Sequence, residues 1–204
     1  MVKPAENSTE ASVPENVVSS LMPWVLGEPE QDVRLKTLDF GYASAPTVHF
    51  FSQFTCTLYF AALIDPEINK FNSDQMTHAD KVKRFKKVLN IPNNTQIDII
   101  LFWDLFCYLD RPAINALLEA LRPYVHKHTR AHSIGLLNNR YQLPAFEYGL
   151  CDRTLLAQQP NDDLKSKVYN HSRQQLNDSL DYWRVDKSCL LADGRVENVL
   201  LVKQ

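Results

Sequence analysis

The chain has 204 residues, of which 45% are hydrophobic and 23% are charged, so its apolar content suits one buried core and a single globular domain. The formal net charge of -2 offers no general attraction to phosphate backbones or anionic membrane surfaces, so neither nucleic acid nor membrane is an expected partner. The four cysteines form no C-x-x-C pair, and no apolar run approaches the ~20 residues that span a bilayer, which together favour reduced thiols and a cytoplasmic location.

The first elements are short. Residues 1–13 are rich in Ser, Glu and Pro and predict a disordered tail that adds little to stability, which leaves residues 14–204 as the domain. A mixed apolar stretch over residues 17–26 predicts a short covering helix. Residues 35–40 then predict a strand that ends in a turn at Gly41. Ser44 caps the helix that follows this turn.

The middle of the chain carries the clearest pattern. Residues 56–63 predict a second strand, and residues 78–90 predict an amphipathic helix with a solvated basic side. Residues 97–103 are almost continuously apolar, as expected of a strand that is covered on both faces. Asp110 is a candidate N-cap, and apolar residues at helical spacing follow it. This order of strand, loop and helix is typical of α/β proteins.

The last part of the chain is mixed. Residues 131–137 predict a strand, residues 138–168 show no regular pattern, and residues 170–180 predict a polar helix. Two strand-like runs, 183–191 and 196–202, are joined through an Asp-Gly turn and predict an antiparallel hairpin. The expected fold is therefore a doubly wound, mostly parallel, Rossmann-like α/β sheet with a C-terminal antiparallel hairpin.

Three segments, LKTLDFGYASA, IDIILFWDLFCYLDRPAINALLEALRPYV and the terminal hairpin, resemble class I S-adenosylmethionine-dependent methyltransferases. The resemblance implies that S-adenosylmethionine binds beyond the carboxyl ends of the strands. It implies five cofactor-binding residues: Asp39, Gly41, Ala43, Asp65 and Asp104. It also implies an acceptor pocket that includes Trp103 and Tyr108.

The chain departs from the family pattern at several of these positions. Ala43 stands where the family has glycine, and Pro46 stiffens the start of the following helix. The acid that would bind the ribose is expected near residues 61–63, whereas the nearest carboxylate is Asp65. The segment between the second strand and residue 97 holds one good helix, so the third strand of the family is expected to be shortened or missing. Weak or absent binding of S-adenosylmethionine follows.

Simpler interpretations of these residues stay open. Gly41 can serve only the backbone of its turn, and Asp104 can cap the loop that follows it. The histidines of HKHTRAH have no carboxylate or cysteine at metal-binding spacing, so no metal site is expected.

Two functions are compatible with this pattern. The degraded cofactor motif favours a non-catalytic interaction or regulatory scaffold, a pseudoenzyme with an unknown protein partner, because the site is weaker than the fold. The alternative is an active S-adenosylmethionine-dependent methyltransferase that acts on an unknown small-molecule or protein acceptor.

Overall fold

The structure is a computed structural model, and it describes residues 15–28, 34–63, 67–72, 75–138, 140–161, 164 and 166–203. The predicted tail and Asp65 lie outside these ranges. The strands are β1 (Glu15–Val18), β2 (Leu35–Asp39), β3 (Cys56–Phe60), β4 (Ile97–Leu101), β5 (Val125–Leu136), β6 (Phe146–Leu150), β7 (Leu155–Pro160), β8 (Trp183–Leu190) and β9 (Arg195–Val202). The α-helices are α1 (Met22–Leu26), α2 (Ala45–Phe51), α3 (Glu67–Phe71), α4 (His78–Leu89), α5 (Arg111–Leu121) and α6 (Arg173–Ser179).

The main sheet has six strands in the order β3-β2-β4-β5-β9-β8. Strands β3, β2, β4 and β5 run parallel, and β9 and β8 add the antiparallel hairpin at one edge. The prediction of a mostly parallel sheet with a C-terminal antiparallel hairpin is confirmed. Strand β4 takes an inner place because four of its five side chains are buried, which requires cover on both faces.

The segment between β3 and β4 contains helices α3 and α4. None of the residues that the structure describes between Phe60 and Ile97 belongs to a strand. Strand β3 forms one edge of the main sheet.

Two apolar cores lie on the two faces of the main sheet. One core packs α4, α5 and α6 against the sheet, and its rings include Phe71 stacked on Phe85 at 4.0 Å. The other core joins α1, α2 and a small sheet to the opposite face, and it contains Trp103 and Tyr148.

The small sheet is antiparallel, with the order β1-β7-β6. Two predictions are corrected here. Residues 138–168, which show no pattern in the sequence, contain strands β6 and β7. The predicted covering helix is also shorter than expected: residues 15–18 form β1, and the helix is only Met22–Leu26. The reason is that β1 pairs with β7, in register between Val17 and Leu156, so its conformation depends on a distant partner.

Strand ends differ from the predictions where the backbone departs from regular pairing. Strand β5 begins at Val125, but its regular pairing with β4 is interrupted until Arg130. Residues 127 and 128 in this irregular part are exposed, and the continuous run of buried residues begins only at residue 131. Strand β4 stops at Leu101 because Trp103 has a positive φ of 51°. None of the described helices is both long and apolar enough to cross a membrane.

Candidate functional site

The carboxyl end of β2 places Asp39 and Gly41 in a tight turn. The buried carboxylate oxygen Oδ1 of Asp39 accepts a hydrogen bond from the Gly41 amide at 2.7 Å. The same oxygen accepts a second bond from the indole Nε1 of Trp103 at 2.6 Å. The inward-facing acceptor of Asp39 is thus bonded to donors of the protein itself.

Trp103 lies directly against the glycine turn. A Cβ atom added to Gly41 would stand 3.1 Å from two atoms of the indole, Cδ1 and Nε1, so the ring and this backbone are in close contact. Trp103 has a left-handed φ, which is unusual for a bulky residue. Two backbone hydrogen bonds to β5 hold this conformation: Phe102 N donates to His132 O at 2.9 Å, and Ile134 N donates to Trp103 O at 2.6 Å. Trp103 is fully buried.

Strand β6 covers this turn from the other side. The Tyr148 ring stacks on Trp103 with the ring centroids 5.4 Å apart and the planes only 6° from parallel. Two residues further along β6, the Leu150 amide donates to Thr47 Oγ1 at 3.0 Å, and Thr47 lies in the first turn of helix α2. A Cβ on Gly149 would come within 2.7 Å of Ser44 Oγ, the N-cap of that helix. Strand β6 therefore packs tightly over the turn and the start of α2.

Asp104 lies beside this cluster and is also fully buried. The Tyr108 hydroxyl donates to Asp104 Oδ2 at 3.4 Å. No described donor reaches Asp104 Oδ1. Asp104 is therefore in contact with Tyr108, and Asp39 is in contact with Trp103.

Burial dominates the electrostatics of both carboxyl groups. It raises the pKa of Asp39 to about 7, against the lowering effect of the hydrogen bonds from Gly41 and Trp103. It likewise raises the pKa of Asp104 to about 7, although a backbone bond, the Tyr108 hydroxyl and the charge of Arg195 all oppose this change. Both groups are thus substantially protonated near neutral pH.

Arg195 is a residue of this region that sequence reasoning missed. It is only 2% exposed, and its guanidinium donates to Tyr148 Oη at 3.0 Å and to Gln158 Oε1 at 3.1 Å. Its Nε also donates to Asp193 Oδ2 at 2.7 Å. An arginine directly after the Asp-Gly turn, at the start of strand β9, was the available signal, whereas Tyr148 lies in the segment without a pattern.

A second buried polar cluster joins β5 and β9. His132 Nε2 lies 2.8 Å from Glu197 Oε1, and the Ser19 hydroxyl donates to the same oxygen. The His132 ring meets Trp103 edge to face at 5.4 Å between centroids. The cluster therefore supports the wall behind Trp103.

Of the two remaining predicted residues, only Ala43 is described, and it is not part of this packed cluster. Ala43 is exposed on the turn after Gly41, and Asp65 lies outside the described residues. The structure thus brings Asp39, Gly41 and Trp103 into one cluster, with Asp104 and Tyr108 beside it. This placement is at the sheet edge where open α/β folds bind ligands.

Comparison with solved structures identifies the fold. The 1,6-didemethyltoxoflavin-N1-methyltransferase of Burkholderia thailandensis, solved with bound 1,6-didemethyltoxoflavin and S-adenosylhomocysteine, is similar with a TM-score of 0.52 and 11% identity, covering 90% of this chain and 76% of that one. The mitomycin 7-O-methyltransferase MmcR is similar with a TM-score of 0.50 and 13% identity, covering 90% of this chain and 52% of that one. The chain has the class I methyltransferase fold.

No family model matches this methyltransferase-fold chain, and no curated protein matches it. The similarity therefore extends to the backbone arrangement, while the side chains at the carboxyl edge of the sheet must be interpreted from their own contacts.

Proposed function

We propose that this protein is a non-catalytic member of the methyltransferase fold, an interaction or regulatory scaffold whose cofactor site is closed by its own side chains. The observation that carries the proposal is the packing of Trp103 between Gly41 and Tyr148. In dinucleotide-binding and related α/β folds, the glycines of the first turn exist to let the backbone approach the ligand. Here the Gly41 backbone is approached by the indole.

The energetic consequence can be estimated from burial. An aromatic side chain buries ~150–250 Å² and contributes about 4–6 kcal/mol at ~25 cal/mol per Å². A cofactor that needs the space against Gly41 must first displace Trp103 and break its bond to Asp39. An opening cost of this size lowers the apparent affinity by about 1,000-fold or more.

Two further features support the same conclusion. Strand β6 packs over the first turn of α2, through the bond from Leu150 to Thr47 and the close approach of Gly149 to Ser44. This helix start is the place where the fold would present backbone N–H groups to a ligand. In addition, the Asp39 oxygen that faces the turn already accepts two hydrogen bonds.

Calorimetric titration of S-adenosylmethionine into the purified chain tests the proposal. We expect no saturable heat of binding, because the buried Trp103 side chain occupies the space against Gly41 that the cofactor would need. A cooperative thermal unfolding transition of the same sample is the control that the protein is folded.

The opposite result would make the protein a candidate active methyltransferase. Low-micromolar binding that is lost in Asp39→Asn and retained in Asp178→Asn, at an exposed position of α6, would locate the cofactor at the β2 turn. It would therefore contradict the closed-site proposal.

A further inference from the structure

A cavity of about 290 Å³ lies over the C-terminal hairpin, between α6 and strands β5, β9 and β8. Leu176 of α6, which lines it, belongs to the core on the face of the sheet opposite Trp103. The volume is close to the lower end of the range for small-molecule pockets, ~300–1,000 Å³. The cavity is therefore separate from the cofactor turn and large enough for a small ligand.

Gly135 keeps this cavity open at its floor. A Cβ atom added to Gly135 would meet no heavy atom within 4 Å, whereas Cβ atoms on Gly41 and Gly149 would each meet neighbours. Gly135 is also absent from the residues with a positive φ, so its backbone does not itself require glycine. Because Gly135 has no side chain, the cavity extends to the backbone of β5 at this position.

The walls and mouth of the cavity are aliphatic. Leu176, Val185 and Val196 line it, and Leu137 and Leu190 stand at its mouth with 47% and 58% of their surface exposed. These exposed leucines lie at the ends of β5 and β8, the strands on either side of β9, and form an apolar rim around a concave site. This surface suits the hydrocarbon part of a ligand.

Asn198 and Arg173 provide hydrogen-bond donors in the lining of the cavity. Asn198 is 6% exposed, and its Oδ1 already accepts a bond from Ser188 Oγ at 2.8 Å. Its amide nitrogen has only a long bond, 3.4 Å, to the Val196 carbonyl and so has capacity to donate. Donors in this position favour a ligand that accepts hydrogen bonds.

The charge of the lining points the same way. Arg173 lines the cavity and forms no ion pair or hydrogen bond with any residue that the structure describes, and of the described lining residues none is acidic. His171 also lines it, but its Nε2 already donates to the Leu109 carbonyl at 2.8 Å, so the charge complementarity of the cavity rests on Arg173. An arginine with no partner among the described residues, beside an apolar cavity, complements a negative charge.

We propose that this cavity binds a small amphiphilic carboxylate, with its hydrocarbon body against Gly135 and Leu176 and its carboxylate on the side of Arg173. The site does not depend on cofactor binding, so it is compatible with either state of the cofactor turn. It would give a scaffold of this fold a ligand-sensing surface next to its C-terminal hairpin.

Octanoate is a suitable probe, titrated into the full chain and followed by saturation-transfer NMR and calorimetry. Octylammonium and 1-octanol carry the same hydrocarbon body with a cationic and a neutral head group. We expect saturable binding of one octanoate per chain, weaker binding of 1-octanol and no binding of octylammonium.

Two variants separate the contributions of shape and charge. Gly135→Leu fills the open space and should abolish binding of octanoate and of 1-octanol. Arg173→Gln should weaken octanoate binding about threefold to tenfold and leave 1-octanol unchanged. Arg184→Gln, the same chemical change at an exposed arginine of β8 that does not line the cavity, should have no effect.

Several outcomes would overturn the proposal: no saturable octanoate binding to the unmodified chain, equal affinity for octanoate and octylammonium, or octanoate binding that Arg173→Gln leaves unchanged. Binding that survives in a folded Gly135→Leu variant would place the ligand elsewhere and would overturn it as well. If Gly135→Leu does not fold, the comparison of head groups and the Arg173→Gln titration still decide the result.

Discussion

Asp39→Asn should remove the pH dependence that one buried carboxyl group imposes on stability. Burial raises the pKa of Asp39 from the ordinary value of 3.8 to about 7. In the folded protein the group therefore keeps its proton over a pH range in which the unfolded chain has lost it. The contribution of this protonated group to the free energy of unfolding is fully present below pH 3.8 and is lost as the pH rises towards 7.

The magnitude follows from the two pKa values. The pKa of Asp39 differs by about three units between the folded and unfolded states, which corresponds to ~4 kcal/mol of unfolding free energy lost between pH 4 and pH 8. Asparagine keeps an oxygen for the Gly41 and Trp103 donors but never ionises. Its buried NH₂ group, at the position of Oδ2, finds no described partner and adds a pH-independent cost of about 1–3 kcal/mol.

The variant should therefore be less stable than the unmodified protein at pH 4.5 and at least as stable at pH 8. Urea unfolding at half-unit steps of pH measures this, and the difference in unfolding free energy between the two proteins is the quantity to compare. Asp178→Asn, the same change at an exposed position of α6, is the control. A difference between Asp39→Asn and the unmodified protein that stays constant with pH would refute the reasoning, because the buried carboxyl group would then not titrate in this range.

Two other substitutions test the packing around the site and the start of a core helix. Arg195→Met removes donors to the hairpin turn and to two strands of the small sheet, and it should destabilise the protein by about 3–5 kcal/mol in urea unfolding. Arg184→Met, at an exposed position, should change stability by less than about 0.5 kcal/mol, and equal losses would contradict the structural role of Arg195. Asp110→Ala removes the N-cap that accepts from the Ala113 amide at 2.8 Å and should lower the thermal midpoint through a loss of about 1 kcal/mol. An unchanged midpoint, or an equal decrease in Asp178→Ala, would show that this cap contributes no specific stability.

Predictions that rest on local chemistry are confirmed by the structure. Ser44 and Asp110 cap their helices, at 3.4 and 2.8 Å from the amides they accept, because a short polar side chain before an apolar helical pattern satisfies a free amide whatever the rest of the fold does. Strand β4 is internal in the sheet because its run of apolar side chains can be buried only with cover on both faces. The Asp-Gly turn likewise joins β8 and β9, where Gly194 has a φ of 84°.

The small sheet could not be predicted, because its partners are far apart in the chain. Strand β1 pairs with β7 across more than half the sequence, and neither strand is long enough to show a reliable alternation of apolar and polar residues. The pattern predicts the conformation of a segment only where local preferences dominate. Here the conformation of both segments depends on the partner strand.

The sequence by itself determined the residue types at the carboxyl edge of the sheet: Asp39, Gly41, Trp103 and Asp104, in segments that resemble a cofactor site. Only the tertiary structure decided what those residues contact. The indole packs against Gly41 because the backbone of Trp103 is left-handed and because Tyr148 of β6 stacks on the ring. Both depend on contacts with β5 and the small sheet, so no local pattern around residue 103 encodes them. The same burial raises the pKa of Asp39, because removal of water, rather than any neighbour in sequence, penalises the charged form.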